Sequence, residues 1–132
     1  MRKTIGMAFA AGLLLAGCGG GGGGTTPAAT TAGACSDLSS GSSFTVKAEN
    51  SLKFVPDCII AKNTQSLDLQ NTGSITHTFT IVGTPVDVTL DGGKSQTLAP
   101  PGNAIKPGTY IFYCKFHGKP DGSGMAGKIT VE

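Results

Sequence analysis

Gly108-Thr-Tyr-Ile-Phe-Tyr-Cys114-Lys-Phe-His117-Gly-Lys-Pro-Asp-Gly-Ser-Gly-Met125-Ala-Gly-Lys-Ile-Thr-Val-Glu132 closes the chain. A strand pattern runs into Cys114, and His117 follows three residues later. A Gly/Pro-rich loop then leads to Met125 and a second strand pattern. Thiolate, imidazole and thioether are soft or borderline donors. Gathered on one short loop they suit copper, whereas magnesium and calcium prefer oxygen ligands. Zinc would gain little from the methionine. A set of two imidazoles, one thiolate and a weak methionine contact needs a second histidine. The chain has 2 histidines, so His77 is the only other candidate.

Parity supports that set. Residues two apart on a strand share a face. His77, Phe79 and Ile81 fall on one face, with Thr78 and Thr80 opposite. Tyr110, Phe112 and Cys114 share a face, as do Met125, Ile129 and Val131. If those faces are buried, three of the donors point to the core. His117 is expected on the connecting loop, approaching from the surface. Taken singly, each residue has a plainer reading: a core methionine, a satisfied strand histidine, a buried thiol. Their joint occurrence at this spacing argues for a metal site.

The same alternation recurs upstream. Phe44–Ala48, Leu67–Gln70, His77–Val82, Val86–Leu90, Ser95–Leu98 and Thr109–Cys114 read as strands. Leu52–Ile60 reads as an edge segment interrupted at Pro56-Asp57. Turn formers separate these segments, and no useful helical period follows residue 17. The expected fold is all-β, a sandwich or barrel of about seven to eight short strands.

The N-terminus has a different character. Arg2 and Lys3 precede an apolar run, Ile5 to Ala16, which is too short to span a bilayer. Leu15-Ala16-Gly17-Cys18 resembles a bacterial lipobox, in which the cysteine is lipidated and becomes the new N-terminus. An ordinary signal peptide cut near Gly17 is the plainer alternative. Three segments are therefore expected: a lipoprotein signal at 1–17, a lipidated and flexible Gly/Thr/Ala tether at 18–43, and a folded domain at 44–132. Of 10 basic and 8 acidic residues, Arg2 and Lys3 lie in the signal, so the remainder is near neutral. It has no basic stripe, which argues against nucleic acid as a partner.

The chain has 4 cysteines: Cys18, Cys35, Cys58 and Cys114. With Cys18 lipidated and Cys114 on metal, two remain. In an oxidising compartment such leftover pairs oxidise, so a Cys35–Cys58 disulfide is expected. The rivals are a free buried thiol at Cys58 and a bridge that involves Cys114 and destroys the site.

From about Phe44 to Glu132 the pattern resembles the cupredoxin family, the group of plastocyanin, amicyanin and pseudoazurin. The resemblance is carried by Phe54-Val-Pro, by Asn71-Thr-Gly-Ser-Ile-Thr-His77-Thr-Phe, and by Pro107 to His117 followed by Gly124-Met125-Ala-Gly-Lys-Ile-Thr-Val. It implies a Greek-key β-sandwich binding one type 1 copper ion that cycles between Cu(I) and Cu(II). His77, Cys114 and His117 would lie around the copper, with Met125 as the axial contact. It also implies that Thr78, after the first histidine, ties its loop to the cysteine strand. Asn71 is the candidate acceptor for the second ring nitrogen of His77. Seven residues separate His117 from Met125, more than in plastocyanin or amicyanin. They are mostly turn formers, so the loop is expected to bulge outward without moving Met125. The edge of His117, rimmed by Phe116, Pro120 and Pro85, is the expected electron port. Lys115 and Lys119 are either solvated or steer an acidic partner.

The functional expectation is a membrane-tethered, monomeric blue copper protein. It would carry single electrons between an extracytoplasmic donor and acceptor, such as a cytochrome, an oxidase or a reductase. Its place is the cell envelope, on the periplasmic side or outer surface, anchored through lipid. Copper sequestration or delivery is the alternative. Rows of Met or His would favour it, but of 3 methionines two, Met1 and Met7, lie in the signal. A one-domain copper enzyme would need a second centre, which 2 histidines cannot build.

Overall fold

The structure, a computed structural model, describes residues 34–132. The signal, the lipidation expected at Cys18 and the glycine tract lie outside the described residues. Within them, ten strands follow one another: β1 (Ser36–Asp37), β2 (Ser43–Glu49), β3 (Lys53–Val55), β4 (Cys58–Ala61), β5 (Ser66–Asn71), β6 (His77–Ile81), β7 (Asp87–Leu90), β8 (Ser95–Leu98), β9 (Gly108–Gly118) and β10 (Gly124–Val131). A single 3-10 turn, Gly102–Ala104, precedes β9. Among the described residues, no helix is long and apolar enough to cross a membrane.

The strands form two sheets, ordered β1-β4-β10-β9-β6-β7 and β3-β2-β5-β8. The pairs β1/β4, β4/β10 and β2/β5 run parallel, and the rest are antiparallel. Period-2 patterning explains the burial. On β2, Phe44, Val46 and Ala48 are buried while the residues between face outward, and β5 repeats this with Leu67 and Leu69. Phe54, Phe79 and Phe112 join the sheets. Phe79 and Phe112 stack at 5.0 Å, and Phe54 meets them edge-on at 5.6 and 5.3 Å. Each fully buried ring contributes about 2–3 kcal/mol by leaving water, and each aromatic pair about 1 kcal/mol more.

Two expectations change. The segment from Leu52 to Ile60 is not one interrupted edge strand. Pro56 has no N–H to pair, and the chain crosses there between the sheets. β3 then edges the four-stranded sheet, while β4 lies inside the six-stranded one, between β1 and β10. The ordered domain also begins before Phe44. Ser36 and Asp37 pair with Ile59 and Ile60, the Leu38 amide donates to the Ile60 carbonyl at 2.8 Å, and Cys35 is disulfide-bonded to Cys58. Buried Gln65 holds the following turn, donating to the carbonyls of Leu38 and Gly41 at 2.8 Å each. Ser-Asp has no apolar alternation, so only long-range partners reveal this strand.

Candidate metal centre

His77 opens β6, paired with Leu90 of β7, and is fully buried. Cys114 is fully buried on β9 and is the free cysteine among the described residues. Met125 is the second residue of β10 and belongs to the same buried cluster as Cys114. The apolar faces read from the sequence are therefore the core faces.

His117 departs from expectation, for it belongs to β9 rather than to a loop. In an unbroken strand, residues three apart point to opposite sides. Here Tyr113 pairs with Ala126 and Gly118 with Gly124, so five steps along β9 match two along β10. The surplus residues bulge and bring the His117 ring back beside Cys114. Two glycines permit the closure. Gly124 has φ +73°, and a β-carbon on it would strike the His117 carbonyl. A β-carbon on Gly118 would strike the backbone of Met125. Nothing in the local pattern marks these glycines out from the others in the loop.

The donor atoms of His77, Cys114 and His117 all lie within 4.8 Å of one another. Cys114 Sγ is 3.8 Å from His77 Nδ1 and 3.5 Å from His117 Nδ1. The two rings meet edge-on, 5.2 Å between centroids and 70° between planes. Both imidazoles thus turn the same nitrogen towards the thiol. Burial, then the neighbouring His117, holds the His77 pKa below its ordinary 6.5, and a backbone contribution from Glu49 opposes them. A neutral ring is the form that can donate a lone pair to a metal. His77 Nε2 is buried without a hydrogen-bond partner. A thiol, two converging imidazole nitrogens and a buried methionine form a donor set that fits copper.

Thr78 makes two links to the cysteine strand. Its amide donates to Cys114 Sγ at 3.3 Å, and its Oγ1 accepts from the Lys115 amide at 2.7 Å. Asn71 does not serve His77. Its Nδ2 donates to the carbonyls of Ile75 at 2.7 Å and Leu90 at 3.0 Å, and its Oδ1 accepts from the Gly73 amide. It shapes the loop before His77 and makes no bond to the ring, whose Nε2 stays unpartnered. Lys115 is neither free nor simply solvated. Its Nζ pairs with Asp87 at 2.6 Å, and Thr80 donates to the same carboxylate at 2.9 Å. Lys115, then Thr80, holds the Asp87 carboxyl below its ordinary pKa.

His117 is half-buried, and Phe116 beside it is 62% exposed, with ring centroids 6.2 Å apart. Pro85 is not on this rim. It lies in the turn between Ile81 and Val86, at the end of β6 opposite His77. Pro120 is exposed in a compact turn closed by Lys119 N to Ser123 O at 2.9 Å and Gly122 N to Lys119 O at 3.0 Å. The long insertion is thus a tight hairpin end, with Gly122 lying against Ile111.

Residues 26–131 match a family model described as a cupredoxin-like domain. No curated protein sequence is a match. Solved structures share the fold at low identity. Reduced amicyanin carrying a proline-to-phenylalanine substitution is 21% identical, with a TM-score of 0.52 over 68% of this chain and 82% of that one. A mutant fern plastocyanin is 23% identical, with a TM-score of 0.51 over 67% of this chain and 100% of that one. A copper-containing nitrite reductase from Thermus scotoductus SA-01 is 19% identical, with a TM-score of 0.52 over 68% of this chain. The present chain spans only 22% of that reductase. With the family match covering most of its length and the donor set in place, the chain belongs to the cupredoxin-like family.

Proposed function

We propose that this protein is a type 1 copper electron carrier held at the extracytoplasmic face of a membrane. The observation that carries the reading is the buried thiol of Cys114 with the Nδ1 atoms of His77 and His117 at 3.8 and 3.5 Å. Those three groups and Met125 would hold the ion, which when bound supplies a one-electron couple. The residues favour rapid exchange because they are already assembled. The bulge, the Thr78 links and the Gly118–Gly124 pair fix the donors in the protein alone, so little has to rearrange when the charge changes. Core packing around His77 and Cys114 keeps water away. The half-buried His117 and exposed Phe116 offer the short path to a partner.

The lipobox-like Leu15-Ala16-Gly17-Cys18 supports anchoring through lipid, and the glycine tract after it supports reach. The partners in this reading are a redox protein donor and acceptor, met by a monomer. A one-domain enzyme would need further histidines, and the chain has 2.

The test is the visible spectrum of the full-length protein loaded with Cu(II) and then reduced. An intense thiolate-to-copper band that bleaches on reduction, and is lost in Cys114→Ser, is the expected result. A weakly coloured complex that ignores Cys114→Ser would overturn the electron-carrier reading in favour of sequestration or delivery.

A further inference from the structure

His77 comes from outside the β9–β10 hairpin that carries the other three donors. Its position depends on what holds the chain just before it. Asn50, the residue after β2, reaches across to that segment. Its Oδ1 accepts from the amides of Ser74 at 2.9 Å and Ile75 at 3.3 Å, and its Nδ2 lies 3.4 Å from Ser74 Oγ. Gly73 packs so closely on Asn50 that a β-carbon there would collide with the side-chain amide.

We propose that Asn50 is a positioning residue for His77: by accepting from the Ser74 and Ile75 amides it sets the loop at the end of β2 and so aims the His77 ring at Cys114. Asn71 holds the other side of this loop through Ile75 and Leu90. The loop is therefore held from two neighbouring strands of the four-stranded sheet, by Asn71 at the end of β5 and by Asn50 after β2. For its copper readout the inference rests on the function proposed above; for its metal-free readout it does not.

The test compares full-length Asn50→Ala, Asn50→Asp and Gly73→Ala with the unaltered protein, each checked for folding by urea denaturation. In the metal-free form, Asn50→Ala should speed exchange of the Ser74 and Ile75 amides roughly fivefold, as the loss of a bond worth about 1 kcal/mol predicts. It should also move the His77 ring nitrogen resonances. Asn50→Asp keeps the acceptor and should stay close to the unaltered protein. Gly73→Ala displaces the same amide and should resemble Asn50→Ala, and the double variant should be no worse than the more damaging single one. With Cu(II), Asn50→Ala should lower affinity up to about tenfold, the lower end of the effect seen for groups that touch a ligating histidine directly. Unchanged His77 resonances and copper affinity in Asn50→Ala would overturn the proposal, as would an Asn50→Asp variant as damaged as the alanine. If the unaltered protein shows no thiolate-to-copper band while Asn50→Ala still moves the His77 resonances, the copper reading fails and the positioning role stands.

Discussion

Thr78 and Cys114 are bonded across two strands, the Thr78 amide donating to the cysteine sulfur at 3.3 Å. The Thr78 hydroxyl accepts from the next amide, Lys115, at 2.7 Å. One residue therefore fixes both the thiol and the backbone that carries it. Thr78→Val keeps the shape and removes the hydroxyl acceptor. It leaves the part-buried Lys115 amide without its partner, at a cost of about 1–3 kcal/mol. Urea denaturation of the metal-free protein should show that loss, and Thr78→Ser should recover most of it.

Gly124 is required by geometry rather than composition. Its φ of +73° alone costs a side-chain-bearing residue about 1–2 kcal/mol, and the collision with the His117 carbonyl adds to it. Gly124→Ala should lower the melting temperature and weaken copper loading together. Gly83, also at positive φ but in open space, provides the comparison. Gly83→Ala should affect stability only.

Met125 is 1% exposed and packs in the core whether or not it touches metal. Met125→Leu conserves volume and should cost less than about 1.5 kcal/mol of stability. Removing a donor disfavours the oxidised ion more than the reduced one, so the reduction potential of the copper form should rise. A potential that does not move would place Met125 in the core alone.

The lowered pKa of His77 gives the metal-free protein a signed pH dependence. Unfolded, the ring takes up a proton at about pH 6.5; folded, it resists to lower pH. Below the unfolded value the unfolded chain binds more protons, so unfolding becomes easier as pH falls. Stability should be flat above about pH 7 and decline beneath it. His77→Gln should flatten that part of the curve, measured by thermal denaturation from neutral pH downward.

Cys35 and Cys58, 23 residues apart, staple β1 to β4 beside the start of the domain. Closing a loop of that length is worth about 3 kcal/mol in the unfolded chain. Cys35→Ser with Cys58→Ser should lose an amount of that order by urea denaturation and free β1 for proteolysis. The visible spectrum of the copper form should persist, since neither residue contributes to the donor set.

Strands with clean alternation, such as Phe44–Ala48 and Leu67–Gln70, were legible in the sequence. Burial of one face is a local property with period 2. The donor types were legible for a related reason: soft ligands are rare enough that Cys114, His117, Met125 and the one other histidine leave few combinations. The amino-acid sequence by itself therefore determined the all-β class, the core faces and the chemistry of the candidate centre. What the tertiary structure decided depends on residues distant along the chain. The pairing of Ser36-Asp37 with β4, the crossing at Pro56 and the bulge that returns His117 to Cys114 are set by partners no local period encodes. So are the diversion of Asn71 to Ile75 and Leu90, the Lys115–Asp87 pair and the grip of Asn50 on the His77 loop. A polar side chain bonds to whatever donor or acceptor the fold brings within about 3 Å, and only the folded chain specifies which one that is.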